Sequence, residues 1–497
     1  MAKLTSAREG LGANPAERAA LLYLALPTLI FIAGWLRWPV AALLLVACAC
    51  LLYSGWTCFG KCSAERRSTG ALIWIAGTAL AWSAFGGGSH FMYANTDWVV
   101  RDAVLGDLVR MEWPLHYRGA DGTDLILRSA IGFFLPPALF GKFAGFQQLD
   151  LVMYAWTTLG VALFLLLLPL PAKPGLKLVA GLVLVVFFSG MDFLGQLIAT
   201  ESLPDFPLRL AWWVPLSYPA LTIQILWAPN HCLPIWISTL LILRHLDTHD
   251  FPLVVCVILP LTLIWTPFAV LGLLPFLIRG AYLYGKTHWR QAVLPWHAIA
   301  SGAALTAVML AFLLLDIGGI DSRLPLVPDS AMAPANHLFQ AVSLHSYLLF
   351  VSCEFMLLAM VLWPNVSRGD TGNFYLAVAI LLVLPLFKFG PNNDFILRTS
   401  GPSLIVLLSV SLRTLVIAAH SPSVSSRVLA WLFLAIGANT AFYEFWRAAA
   451  WPRWKPDYQQ TLAQRQGGQP AHHYVGALGN SPLRNILKPP SNKVSED

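Results

Sequence analysis

Asp97 closes a stretch without charge from Ser68 to Thr96 and opens a segment carrying Arg101, Asp102, Asp107, Arg110 and Glu112. Ionisable groups at a membrane boundary are costly unless they are paired or used, so each is a functional candidate by default. If a helix starts at Asp97, Arg101 sits one turn on and can pair with it. A carboxylate so placed can take a proton from an acceptor hydroxyl or amine, or Asp97 or Thr96 simply caps the helix. Asp102 is the second acid of the set, whereas Asp121 and Asp124 read as turn residues beside Gly. Asp192 and Glu201 flank the outer end of another apolar segment and Asp205 and Arg209 follow, either as an ion pair that stabilises the loop or as a second acidic contribution to an outer cavity.

Three later positions suit the opposite charge. In Trp227-Ala228-Pro229-Asn230-His231, His231 stands at a helix start, where the dipole favours an anion such as phosphate; a plain hydrogen-bonded His is the alternative. Lys388 and Arg398 bracket Gly390-Pro391, with Asn392, Asn393 and Asp394 between them. Guanidinium and ammonium groups there are suited to a lipid-linked phosphate or diphosphate, and Asn393 and Asp394 to sugar hydroxyls. Cations snorkelling beside an Asp394 salt bridge would also fit.

The elements that must position these residues are membrane helices. The chain is 57% hydrophobic and 11% charged, with 20 Trp and 28 Phe, and its mean hydropathy is +0.65. A soluble surface needs roughly 25% charged residues, so the bilayer is the solvent. The net charge of +7 is scattered between apolar segments, which excludes a nucleic-acid stripe and instead reports topology through the placement of Lys and Arg in cytoplasmic loops. Seven Cys lie in or beside apolar segments and form no disulfide framework. Cys58 and Cys62 have metal-site spacing but no second pair, so no metal is expected.

With residues 1–20 as a polar cytoplasmic segment and an uncleaved anchor after it, about thirteen spans follow. They are Leu21 to Leu36, Ala41 to Phe59, the uncharged stretch after Arg67, Leu149 to Leu170, Leu176 to Leu194, Thr222 to Leu243, Leu253 to Trp265, Phe268 to Ile278, Ala292 to Leu315, Leu344 to Trp363, Phe374 to Phe389, Pro402 to Ala419 and Val428 to Trp446. Ile131 to Phe143 holds Pro136-Pro137 and is too short to span comfortably, so it reads as juxtamembrane. The fold expected is an all-α polytopic membrane domain over residues 21–446, with a large outer loop over residues 86–148 that contains juxtamembrane helices. Residues 447–497 form an outer tail rich in Pro, Gly and Gln. The inner loops are short and basic, which argues for a site on the outer face and none on the inner one.

This pattern resembles the GT-C superfamily of membrane glycosyltransferases, which includes protein O-mannosyltransferases, oligosaccharyltransferases and the lipid A aminoarabinose transferase. It is also similar to bacterial multi-span proteins with a WP turn in the first loop, filled here by Trp113-Pro114. Their other marks are a Pro and His at a span entrance, here Pro229 with His231, and an Asn-Asp-Phe before Arg, here Asn393-Asp394-Phe395 with Arg398. The resemblance covers roughly Gly70 to Trp446. It departs in the first hairpin, Leu21 to Phe59, which precedes the presumed catalytic span. It implies a bacterial inner membrane enzyme that transfers a sugar from a polyprenyl-phosphate or diphosphate donor to a glycan, lipid or protein acceptor at the periplasmic face. Asp97 and Asp102 would then be the catalytic acids, with Lys388, Arg398, His231, Asn393 and Asp394 on the donor. A lipid-linked sugar flippase and an O-antigen ligase or polymerase are the alternatives.

Overall fold

The computed structural model describes residues 15–60, 66–119, 121–129, 131–202, 216–288, 295–316, 343–387, 393–417, 423–468, 470–471 and 473–490. Within them the chain is an all-α polytopic membrane protein. Eight helices are long and apolar enough to cross a membrane: Pro15–Trp35 (α1), Trp38–Cys58 (α2), Phe146–Leu167, Pro267–Thr287, Trp296–Leu313, Leu344–Asn365, Asp394–Ile417 and Val424–Ala450. Four apolar helices are shorter: Thr69–Ala84 (α3), Leu176–Val186, Phe251–Leu263 and Thr371–Leu386. Each expected span thus has a helical counterpart, although thirteen full-length crossings are not what the described residues display.

Two differences from expectation have local causes. The expected span Thr222 to Leu243 is broken into Leu221–Trp227 and Pro229–His245, because Pro229 restricts Ala228 to a non-helical conformation and fixes a new helix start. The uncharged stretch ending at Thr96 is not one helix either. Helix α3 stops at Ala84 before Gly86-Gly87-Gly88, and Asp97 heads a separate helix, α4 (Asp97–Arg110). A Cβ on Gly87 would lie 1.9 Å from Trp98 Nε1, so only Gly lets the turn close onto α4.

The bundle packs α2 against α1, Phe251–Leu263 and Trp296–Leu313, while Pro229–His245 crosses Leu149–Leu167 and Gly401–Ser411. Buried aromatic rings lock these crossings: Tyr23 stacks on Trp156 at 4.1 Å, and Trp265 Nε1 donates to Leu24 O at 3.0 Å. The Pro136-Pro137 segment forms Leu135–Ala144 (α5), whose first turn takes both prolines without losing a helical bond.

The tail folds back onto the first loop. Strands His116–Arg118 (β1), Asp124–Leu127 (β2) and Val475–Ala477 (β3) make an antiparallel sheet in the order β1-β2-β3, with Ile126 opposite Gly476. Further on, Arg37 N donates to Ile486 O and Lys488 N to Trp35 O. The α1–α2 turn, α4, the sheet and the tail therefore share one end of the molecule. Glu17, at the other end of α1, pairs with Arg244 at 2.7 Å, so the start of α1 and the tail lie at opposite ends.

Candidate functional site

Asp97 is the first residue of α4, and its amide is received by Asn95 Oδ1 at 3.0 Å. Thr96 makes no side-chain cap. The Asp97 carboxylate instead meets Arg101 Nη2 at 3.3 Å and keeps 48% of its side chain exposed, against 10% for Arg101. The Arg101 guanidinium also donates to Trp227 O and lies 5.4 Å from the Trp98 ring. Burial lowers the pKa of Arg101, and Asp97 works against that shift. A fixed cation thus sits behind an accessible acid.

A second pair of the same design begins Asp394–Thr399 (α6). Arg398 Nη2 lies 3.4 Å from Asp394 Oδ1, with the acid 46% exposed and the guanidinium 17%. Among the described residues, buried Arg398 Nε has no hydrogen-bond partner, a state that a ligand oxygen would relieve. Asn393 is fully buried, takes a left-handed φ of 50° and donates to Phe387 O at 3.0 Å; it shapes the turn into the helix rather than facing outward. Lys388 and Asn392 lie outside the described residues. His231, three residues into Pro229–His245, shares a hydrogen bond of 2.9 Å between Nδ1 and Thr266 Oγ1.

The two pairs converge. Arg101 interacts electrostatically with Arg398 as well as Asp97, and His231 feels both guanidinium groups. Tyr474, in the tail just before β3, interacts with Asp97, Arg101, Asp394 and Arg398 together. Its backbone carbonyl is fixed by Arg128 N and Ser129 N at 2.8 and 3.0 Å, so the sheet delivers the phenol. Burial raises the pKa of Tyr474, which keeps it a neutral donor. Asp97 and Asp394 each stand beside one of the two guanidinium groups and offset their repulsion.

Asp102 interacts electrostatically with Arg101 but turns its carboxylate toward His90. Five residues from Asp97, it lies about 140° round the helix and is 2% exposed. Its Oδ2 is 3.0 Å from His90 Nε2, while His90 Nδ1 is 3.2 Å from Asp150 Oδ1. Tyr458 of the tail donates to the same Asp150 oxygen at 2.5 Å. Burial alone would lower the His90 pKa, but the two carboxylates outweigh it and raise it to about 9. Asp102 therefore holds an imidazolium that anchors loop and tail.

Other acids take structural places. Asp192 is buried and accepts from Thr440 Oγ1 at 2.8 Å and Ser189 Oγ at 3.3 Å, while Glu201 is exposed just after its helix. Glu17 and Glu354, both buried, were not marked by sequence reasoning. Glu354 sits in the π turn Ser352–Met356 inside an apolar helix, and an isolated acid within Leu344 to Trp363 was the signal that could have found it. Tyr474 had no such signal, since strand pairing across hundreds of residues leaves no local pattern. Among the described residues no group of three or more His, Cys, Asp or Glu is placed to hold a metal ion.

A cavity of about 1120 Å³ lies away from this cluster, at the opposite end of the bundle, among the turns near Arg244, Asp250 and Arg368. The expectation that short basic turns leave no room there does not hold, because Pro229–His245, Pro267–Thr287, Thr371–Val383 and Gly401–Ser411 all contribute to its wall. Comparison with protein-family models, curated proteins and solved structures finds no match.

Proposed function

We propose that this protein is an inverting membrane glycosyltransferase that moves a sugar from a polyprenyl-phosphate or diphosphate donor to an acceptor at the outer face. The observation that carries the reading is the convergence of a half-exposed Asp97 with Arg101, Arg398, His231 and Tyr474 at one end of the bundle. Asp97 removes the proton from the acceptor hydroxyl or amine. The acceptor atom bonds to the anomeric carbon as the bond from that carbon to the phosphate oxygen breaks, and the electron pair leaves with the lipid phosphate. Arg398 and Arg101 neutralise the growing phosphate charge, and Tyr474 donates a hydrogen bond to a donor oxygen. Asp394 faces the sugar hydroxyls. Asp102 acts at a distance by holding His90 and the tail that brings Tyr474 in. The tail end is then periplasmic and the start of α1 cytoplasmic.

Membranes carrying Asp97→Asn or Arg398→Ala, with expression intact, test this reading. It predicts loss of glycosylated product together with accumulation of polyprenyl-linked sugar, and full product from Asp97→Asn contradicts it. A second reading, a flippase for lipid-linked sugar, is favoured by one observation, the large cavity at the opposite end. It predicts movement of lipid-linked sugar across a bilayer without transfer.

A further inference from the structure

The cavity at the far end from Asp97 has its own chemistry. Four arginines and three histidines line it against three aspartates. Asp370 is already engaged by Arg413 and by Ser367 Oγ, the latter at 2.7 Å, so its charge is largely spent within the wall. Among the described residues, Arg279 makes one hydrogen bond, from Nε to Asn373 Oδ1 at 2.8 Å. Its terminal nitrogens lie flat on Gly372, where a Cβ would come within 2.2 Å of Nη2. Arg368 is exposed on the adjoining turn. With Arg244 held by Glu17 and Arg413 by Asp370, Arg279 and Arg368 stand against Asp247 and Asp250 in the lining, and guanidinium forks match phosphate oxygens.

A separate observation lies deeper. Ser409, in Gly401–Ser411, is 9% exposed, and among the described residues its buried Oγ has no hydrogen-bond partner. It lines the same cavity. A buried hydroxyl without a partner costs roughly 1–3 kcal/mol, a cost that a bound ligand's oxygen would cancel. The 13-residue helix Thr371–Val383 also starts at this cavity, with Asp370 as its first flanking residue, and its amide end adds a favourable field for an anion. Apolar walls such as Leu240, Leu243 and Val406 separate the charged mouth from the bundle interior.

We infer that this cavity is a second binding site, for a phosphate-bearing ligand held by Arg279 and Arg368 at the mouth and by Ser409 within. Its volume of about 1120 Å³, slightly above the roughly 300–1,000 Å³ of common small-molecule sites, admits a phosphate with a sizeable substituent. That phosphate can belong to a lipid headgroup or to a soluble phosphate ester. The inference stands on the far end of the bundle and does not depend on the chemistry assigned to Asp97.

The test uses the full chain, purified in detergent and in nanodiscs. Thermal unfolding in detergent is followed with inorganic phosphate at constant ionic strength against chloride, and binding is measured in nanodiscs with and without phosphatidic acid. Stabilisation by inorganic phosphate assigns the soluble source, and a response to phosphatidic acid alone assigns the lipid headgroup. Arg279→Gln or Arg368→Gln weakens either response about tenfold to a hundredfold. Arg368 is exposed, so its variant folds even where Arg279→Gln does not. Ser409→Ala weakens binding less and raises stability of the empty protein. The inference is overturned if neither phosphate nor phosphatidic acid binds, or if both bind the variants as they bind the wild type.

Discussion

Asp107→Ala separates the tail from the site. The Asp107 side chain is fully buried, and its two oxygens receive Arg110 Nη2 at 2.7 Å, Tyr117 OH at 2.9 Å and Leu462 N at 2.9 Å. Truncation leaves the Tyr117 hydroxyl and the Leu462 amide buried without partners, each worth about 1–3 kcal/mol. Arg110 is a quarter exposed and turns to water at little cost. The loss sums to about 2–6 kcal/mol, because two buried groups lose their acceptor and nothing replaces it. Much of it falls on one junction, where Leu462–Arg465 packs on α4. Limited proteolysis of purified protein reads this directly: the variant is cut after Trp451 while the membrane helices stay protected, and activity falls as Tyr474 is released. Asp107→Asn keeps one acceptor oxygen and lies between the two. An Asp107→Ala protein with a protease-resistant tail and an unchanged unfolding midpoint would refute the reasoning.

Asp97→Asn costs little stability, since a half-exposed ion pair one turn apart is worth about 0.3–0.5 kcal/mol, yet it lowers the transfer rate about 10²–10⁴-fold; a parallel unfolding curve and rate assay check both. The His90 pair makes tail docking depend on pH. The folded pKa is raised from 6.5 to about 9, so the stabilisation, at most roughly 3 kcal/mol, is complete below pH 6.5 and is lost as pH rises through 9; His90→Asn, since Asn tolerates the left-handed φ of 52° at this position, flattens that profile. Gly87→Ala drives a methyl group into Trp98 and breaks its bond to Leu226 O, destabilising α4 by about 2 kcal/mol or more, as seen in the unfolding midpoint.

What the sequence made legible follows from how local the physics is. Apolar length alone announces helices such as Pro15–Trp35 and Val424–Ala450, and a four-residue spacing announces Asp97 with Arg101 and Asp394 with Arg398. Helix breaks were harder, because Pro229 ends one segment while starting another, and the apolar run after Arg67 hides the glycine turn before Asp97. The partner of Asp102, His90, was not legible because helical phase and not proximity in sequence decides it. Tyr474 and the cavity beside Arg279 depend on contacts among distant segments, for which no short window carries a pattern.

Purified protein in proteoliposomes, given polyprenyl-phosphate sugar and an acceptor glycan, lipid or protein extract, tests the central claim most directly. The account predicts glycosylated acceptor with inverted anomeric configuration and released polyprenyl phosphate in equal amounts, both abolished by Asp97→Asn. Movement of intact lipid-linked sugar to the other leaflet with no product formed would contradict it.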